Sequence, residues 1–574
     1  MERLEKKTIH GQTYYYYSDW GWVEGKCRRL WQKYLGRAQD IAAAVTTGGP
    51  APLYAEVFAC GLPQALWQQA RELQITPTVD AQCPKRHQGL SPGDYLTLAA
   101  INRACHPVSK MAMWDWVEQT TLRRLYPTAS SATLSSQRFW DHMDMISIPD
   151  AQTIWKQLLT RVVQREKLDL SSFCYDGTNF YTFIDTFNVH TTLARRGKNK
   201  QGRTNLRQVS YALFCGADGP MPLYYEVYEG NRNDAKEFPL VLAKFHAFLK
   251  ELSGQVPSAL QTTLIFDKGN NSQDNIALLD QLELKFVGSV KLGEHADLAA
   301  VSNGDARFVP CDPEEFPGTK AFAVKQTVYG RERTLVVTYN QNLFQAQWLT
   351  VQHDLTQACE ELGALQQRLQ DREAGRIKGG NAPTVASVEK QCQHHLSRPY
   401  LTDLIPYTVS VGSLGVPRLE YQLDSRALQQ LEDTALGKNI LITNQDTWEN
   451  ARIIRAYRSQ YLIEEVFKQM KDRHFGTWWP LNHWTDQKIH VHGLYCSIAM
   501  LLRAVLHRQA RQRGLTLPMP RFLAELDAIR EVVNVYPRKR GQQPGATQTV
   551  FTKLSTIQER LVSLFKLLPG KKAV

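Results

Sequence analysis

Between residues 168 and 290, five short runs rich in β-branched and aromatic residues are set apart by stretches of other character. The runs cover 168–175, 207–215, 221–227, 262–266 and 285–290, each of strand length. Helical periodicity follows the third run, over 234–252, and the fourth, over 272–282. Three strands in succession, then helix and strand by turns, predict an α/β fold built on a mixed sheet.

Two of the runs lead into an acid followed by glycine or Lys-Gly. Asp176 sits in Phe173-Cys-Tyr-Asp-Gly-Thr178, and Asp267 in Leu264-Ile-Phe-Asp-Lys-Gly269. Each reads as a strand-end carboxylate with a glycine, Gly177 or Gly269, that lets the chain turn. Strand ends are where α/β sheets gather ligands, but either motif alone also fits a routine turn. A third acid lies far downstream on a predicted helix over 457–471. At about 3.6 residues per turn, Tyr457, Gln460, Glu464, Lys468 and Lys471 share one face, while Leu462, Val466, Phe467 and Met470 supply the buried side. An exposed Glu–Lys pair four apart is also an ordinary helix-surface pattern. Taken with the two aspartates, the face pairs a metal-binding carboxylate with phosphate-binding amines. Three clustered carboxylates repel one another, which favours a bound cation, and Mg²⁺ (or Mn²⁺) suits hard oxygen ligands. Paired divalent ions can activate one oxygen and stabilise another in phosphoryl transfer.

Composition points the same way. Lys and Arg number 68 against 56 Asp and Glu, a formal net charge of +12, which favours a polyanionic partner such as nucleic acid. The 574-residue chain exceeds what one core serves, and 43% hydrophobic content speaks for a globular protein. None of the ten Cys forms a Cys-x-x-Cys pair, which argues against a zinc ribbon and for a reducing interior. His474, His483, His490 and His492 fit no common zinc spacing. No Walker-type glycine loop is present, so ATP is not implied. The first residues lack the apolar run of a signal peptide, and no stretch reaches the roughly 20 apolar residues of a membrane span. A cytoplasmic, nucleoid-associated protein is expected.

The motifs resemble those of the bacterial insertion-sequence DDE transposases, in the branch with a Tyr-x2-Arg-x3-Glu-x6-Lys signature. Asp176-Gly-Thr178 matches the first acid block, Asp267-Lys-Gly269 the second, and Tyr457, Glu464 and Lys471 the third. The blocks 202–209 and 219–234 match the link between the first two acids. Ile442-Thr-Asn444 ahead of the signature, and Pro480, Ile489 and His492 after it, are also similar. The signature Arg falls on Gln460, which can donate a hydrogen bond but carries no charge. The resemblance implies a ribonuclease H-like catalytic core interrupted by an insertion. It also implies a homodimer that joins element ends, and double-stranded DNA (terminal inverted repeats and target) as partner. Asp176, Asp267 and Glu464 would be both catalytic residues and metal ligands. Tyr457, Gln460, Lys468 and Lys471 would contact DNA. The basic run Arg195, Arg196, Lys198, with Arg203 beyond it, fits either a DNA-contacting loop or a solvated one. A non-catalytic DNA-binding derivative and a structure-specific nuclease on the same fold are the rival readings.

The expected organisation is a mainly helical DNA-binding region over 1–165, a first core part over 166–290, an insertion over 291–438, a second core part over 439–510 and a basic helical tail over 511–574. Within these, Ser91 and Ser109 are expected to cap helices, Asn231 and Asp234 to cap the helix after 234, and 345–374 to form a long helix in which Gly363 is a weak point. The tail carries Arg538-Lys-Arg540.

Overall fold

The computed structural model describes residues 2–23, 25–47, 52–84, 89–198, 202–216, 219–412, 414–472, 474–536 and 547–567. The chain divides into two compact units, one of Met1–Gln69, Val108–Phe139 and Gln509–Val574, the other of Ala70–Pro107 and Trp140–Arg508.

The larger unit is built on a mixed sheet, ten-stranded among the described residues. Helix α1 (Ile148–Glu166) starts at Ser147, whose hydroxyl accepts from the Asp150 amide in a reciprocal capping box. It leads into β1 (Ser172–Tyr181), β2 (Arg207–Gly216) and β3 (Met221–Glu229). Then come α2 (Asp234–Ser253), β4 (Thr263–Phe266), α3 (Gln273–Gln281) and β5 (Lys285–Val290). The order β3-β2-β1-β4-β5 has β1, β4 and β5 parallel and β2 antiparallel to both its neighbours. All five sequence-derived strands are present, and the strands are buried on both sides, as a sheet covered by helices must be.

The hairpin β6 (Thr319–Val328) and β7 (Arg331–Asn340) turns at Gly330, whose φ of 79° favours glycine. It continues the same sheet, because β7 pairs with β8 (Lys438–Thr443), which pairs with β5. Between β7 and β8, α4 (Gln341–Glu373) runs unbroken through Gly363. That glycine is a close approach: a Cβ there would stand 3.2 Å from Tyr421 Oη. Leu355, Leu362, Leu365 and Leu369 of α4 pack with Val388 and Leu401 in a core of their own. After β8 come α5 (Asn450–Arg458), α6 (Tyr461–Lys471) and α7 (Asp486–Gln512). Helix α7 is long and apolar enough to cross a membrane, and 94% of its apolar window is buried in the protein.

Several expectations are corrected. The N-terminal region is not mainly helical from its start. Glu2–Ile9, Gln12–Val23 and Lys26–Arg37 form a three-stranded antiparallel meander. Tyr14-Tyr-Tyr-Tyr17, Trp20 and Trp22 carry strong strand preference, but with little burial on either face they give no period-2 signal. The C-terminal segment is only partly the expected helical tail: helices Met519–Asp527 and Thr556–Leu564 are present, but two strands lie between them. Arg530–Val535 pairs with both Thr547–Phe551 and Tyr54–Ala59, and buried Glu531 bonds Arg124. Arg538-Lys-Arg540 lies outside the described residues. Ser91 caps Pro92–Cys105 with a full capping box, whereas Ser109 makes no side-chain cap and a 3-10 turn precedes Met113–Glu118.

Candidate active site

The site begins with one register. Strands β1 and β4 run parallel, with Phe173 beside Leu264, Cys174 beside Ile265 and Tyr175 beside Phe266. One residue further on come Asp176, still within β1, and Asp267, extended and just past the end of β4, where neighbouring strands lie about 4.8 Å apart. Side chains alternate along a strand, so both carboxylates leave the same face. Tyr175 and Phe266 leave the other, where each meets the ring of Phe238 on α2.

The two acids are reached differently from the sequence expectation. Asp267 does end β4, caps the turn Lys268–Asn270 and accepts from the Lys268 amide at 2.6 Å. Asp176 does not end β1, which continues to Tyr181 because β2 pairs with it along that whole length. Asp176 Oδ1 accepts from the Gly177 amide at 2.7 Å. Neither Gly177 nor Gly269 has a positive φ. Gly177 is instead a packing residue, where a Cβ would lie 3.1 Å from Tyr228 Oη.

Helices α5 and α6 cover the Asp face. Residues Cys174, Asp176, Thr178 and Phe180 share that face of β1. Cys174 Sγ lies 3.2 Å from Ser459 Oγ just before α6. At the far end, Lys471 Nζ donates to Thr178 Oγ1 and stands 5.5 Å from the Phe180 ring centroid. Glu464 lies on α6 between these two anchors and is exposed. Leu462, Ile463, Val466, Phe467 and Met470 are buried and hold the helix down.

The predicted single helix over 457–471 is two helices. The amides of Gln460, Leu462 and Ile463 bond three residues back, and Ser459 Oγ donates to the Ala456 carbonyl at 2.6 Å. This local tightening breaks the α-helical ladder. Tyr457 therefore belongs to α5, where its hydroxyl donates to Ser289 Oγ at 2.8 Å. Burial raises its pKa, the Ser289 bond opposes that, and the charge of Asp267 adds to it. Tyr457 is thus in electrostatic reach of the second acid. Gln460, in the turn between the helices, has a buried side-chain nitrogen without a hydrogen-bond partner. Arg458 reaches away, to Thr319 Oγ1 at 2.9 Å and the Phe316 ring. Lys468 is exposed.

Beyond Lys471 opens a cleft of about 620 Å³ lined by Tyr181, Arg203, Lys471, His474, Trp479 and Pro480, among others. Tyr181 and Trp479 have ring centroids 4.8 Å apart, and Trp479 Nε1 donates to the Tyr181 carbonyl at 3.1 Å. The Arg203 guanidinium lies 5.5 Å from the Tyr181 ring centroid. Thr178, Tyr181 and Trp479 were missed from sequence. The period of two from Asp176 pointed at Thr178, and Trp478-Trp479 beside Pro480 at the wall.

The rest of the basic run sits at a sheet edge. Arg195–Arg196 pairs with β2 at Arg207 and Gln208. Arg195 Nε donates to the Thr192 carbonyl at 2.9 Å and Arg196 to Thr186 Oγ1 at 3.0 Å. Lys198 is exposed. Asp486 fastens the approach to this edge, accepting from the Thr191 hydroxyl at 2.6 Å and the Thr192 amide at 2.9 Å. His483 and His492 are packing residues: His492 bonds the Trp478 carbonyl at 2.7 Å, and both meet Tyr495. Asn233, rather than Asn231 or Asp234, caps α2, and Asp234 accepts from Tyr228.

For a divalent metal, the donors are of the right kind, hard carboxylate oxygens, and two of them stand side by side. Among the described residues, however, no three His, Cys, Asp or Glu side chains form a group able to hold a metal ion. Glu464 is on the covering helix without closing a cage around the aspartates.

No protein-family model matches the chain, and no curated protein matches it. Among solved structures, the chain is similar to a cryo-EM structure of the piggyBac transposase synaptic complex with hairpin DNA. The identity is 10% and the TM-score 0.34, over 82% of this chain and 80% of that one. A likeness of that depth carries no functional argument.

Proposed function

We propose that the chain is a DNA transposase that cuts and joins DNA ends by phosphoryl transfer, with Asp176, Asp267 and Glu464 as its acids. The observation that carries this reading is the register of the parallel strands β1 and β4, in which Asp176 and Asp267 each follow directly on the paired Tyr175 and Phe266, with the helix that bears Glu464 packed on β1. The order β3-β2-β1-β4-β5, with only β2 reversed against its neighbours in the core, supports a ribonuclease H-like core. The three carboxylates would hold Mg²⁺ or Mn²⁺, which when bound activates the attacking oxygen and stabilises the leaving one.

The chain's own residues position the strand. Lys471, steadied by Thr178, offers a cation to a phosphate beside Asp176. Gln460 offers a neutral donor where the signature has Arg, and its nitrogen is free of internal partners. Tyr457 is fixed by Ser289 next to Asp267. Arg203 and the Tyr181–Trp479 pair give the cleft a cation and stacking rings for the strand running past the site. Element terminal repeats and target DNA are the substrates in this reading, and a homodimer the working form.

One observation favours a second reading, a DNA-binding derivative without catalysis: the three acids do not stand as a metal-holding group. Asp267→Asn separates the two. The transposase reading expects Mg²⁺-dependent cleavage of end-bearing duplex by the parent, no cleavage by the variant, and unchanged DNA binding by both. Retained cleavage by Asp267→Asn overturns the assignment of the acids. Cleavage that ignores terminal repeats would instead mark a structure-specific nuclease.

A further inference from the structure

The first 37 residues build a surface that the catalytic reading leaves unused. Their three strands pair only with one another among the described residues. A three-stranded sheet ordinarily gains stability by burying one face. Here only Ser18 and Gly36 of the three strands are buried, while Trp22 is 78% exposed, Leu30 54% and Tyr34 48%. Exposed rings and aliphatic chains gathered on one small sheet mark a contact surface.

Charge identifies the partner. Residues 2–37 of the sequence hold eight Lys and Arg against four Asp and Glu. Of the acids, Glu5 is already committed. It accepts from Trp20 Nε1 at 2.6 Å and Gln32 Nε2 at 3.0 Å, and it pairs with Arg3 at 3.1 Å. Directly paired residues of an antiparallel sheet share a face. The register sets Lys7 and Arg37 either side of Tyr14, Tyr34 beside Tyr16, and Arg29 beside Trp20. On this face the cations lie among the rings: Arg3 is 4.4 Å from the Trp20 centroid, Arg29 5.9 Å, and Lys7 5.0 Å from that of Tyr16. From Tyr14 to Trp20 the strand spans ~20 Å at ~3.3 Å per residue. That length accommodates several phosphates of a duplex backbone, spaced by ~3.4 Å of helix axis per strand. Lys and Arg heads suit those phosphates, and tyrosine hydroxyls can donate to them as well.

We propose that this face of the N-terminal meander, with Arg3, Lys7, Arg29 and Arg37 among Tyr14, Tyr16, Trp20 and Tyr34, is a docking surface for duplex DNA. It is a second DNA contact, separate from the acids and from the cleft beside Lys471. It does not rest on the catalytic reading, so Asp267→Asn leaves it intact.

The test uses the full chain and a fluorescently labelled duplex of arbitrary sequence, with affinity measured by anisotropy across a salt series. Each phosphate contact contributes roughly 0.9 to the slope of log K against log salt. The double variant Lys7→Ala/Arg37→Ala is expected to flatten that slope by up to about 1.8, and Lys7→Arg/Arg37→Lys to keep the parent slope. Equal melting temperatures of parent and double variant secure the comparison. Should the alanine pair melt lower, Lys7→Gln/Arg37→Gln, which keeps the aliphatic stems, is read in its place. An unchanged slope overturns the proposal. So does a result in which the variants lose binding only to phosphatidylserine vesicles or polyglutamate, which would assign the face to a membrane or an acidic protein.

Discussion

Asp176 is held in place by a neighbour that has no side chain. Gly177 leaves the opposite face of β1, where Tyr228 Oη and Asp234 Oδ1 would meet an added Cβ at 3.1 and 3.5 Å. Gly177→Ala is therefore expected to force Tyr228 outward and lower unfolding free energy by ~1–3 kcal/mol, the usual cost of overpacking. Gly269, after the other aspartate, has open space around the same position, so Gly269→Ala is expected to stay within about 0.5 kcal/mol. Urea unfolding of the two variants checks both values, and equal losses would contradict the different roles given to the two glycines. A glycine one or two residues after a strand-end aspartate reads as a turn in the sequence, at Gly177 and at Gly269 alike. What overrode it at Gly177 was a long antiparallel partner, β2, which no local window contains.

Among the elements, α7 offers a test by pH. Its first residue, Asp486, is pushed up by burial, but the hydroxyls of Thr191 and Thr192 and the amides of Thr192 and Leu193 more than offset this and leave its pKa below the ordinary 3.8. A carboxylate with a depressed folded pKa adds stability above its unfolded value, and that stability is lost as pH falls through the folded one. Asp486→Asn is thus expected to be less stable than the parent at neutral pH, with the gap closing once pH drops below about 4. Urea midpoints at neutral and acidic pH measure this, and a gap that widens on acidification would contradict it. The same scale separates what was legible from what was not. The five core strands and the helices between them declared themselves through period and composition, since each buries enough surface to impose a pattern. The meander over 2–37 was not legible because it buries almost nothing. The break between α5 and α6 was hidden in the hydroxyl of Ser459, which satisfies a carbonyl of its own helix. For the candidate site, the acids and Lys471 could be named from spacing. The cleft wall at Tyr181 and Trp479 could not, because it joins the far end of β1 to a segment beyond α6.

In the molecule as a whole, segments nearly three hundred residues apart meet at one sheet, where Lys471 of the covering helix α6 donates to Thr178 of β1. The net charge of +12 is consistent with a polyanion as the principal partner. The central proposal is that Asp176, Asp267 and Glu464 act as one set of ligands, although among the described residues no three such side chains form a metal-holding group. Titration of Mn²⁺ into the DNA-bound chain, followed by electron paramagnetic resonance, tests it without relying on turnover. Asp176→Asn, Asp267→Asn and Glu464→Gln are each expected to weaken Mn²⁺ binding by about tenfold or more, equivalent to ~1.4 kcal/mol. Parent-like affinity in Glu464→Gln, with both aspartate variants impaired, would contradict the account.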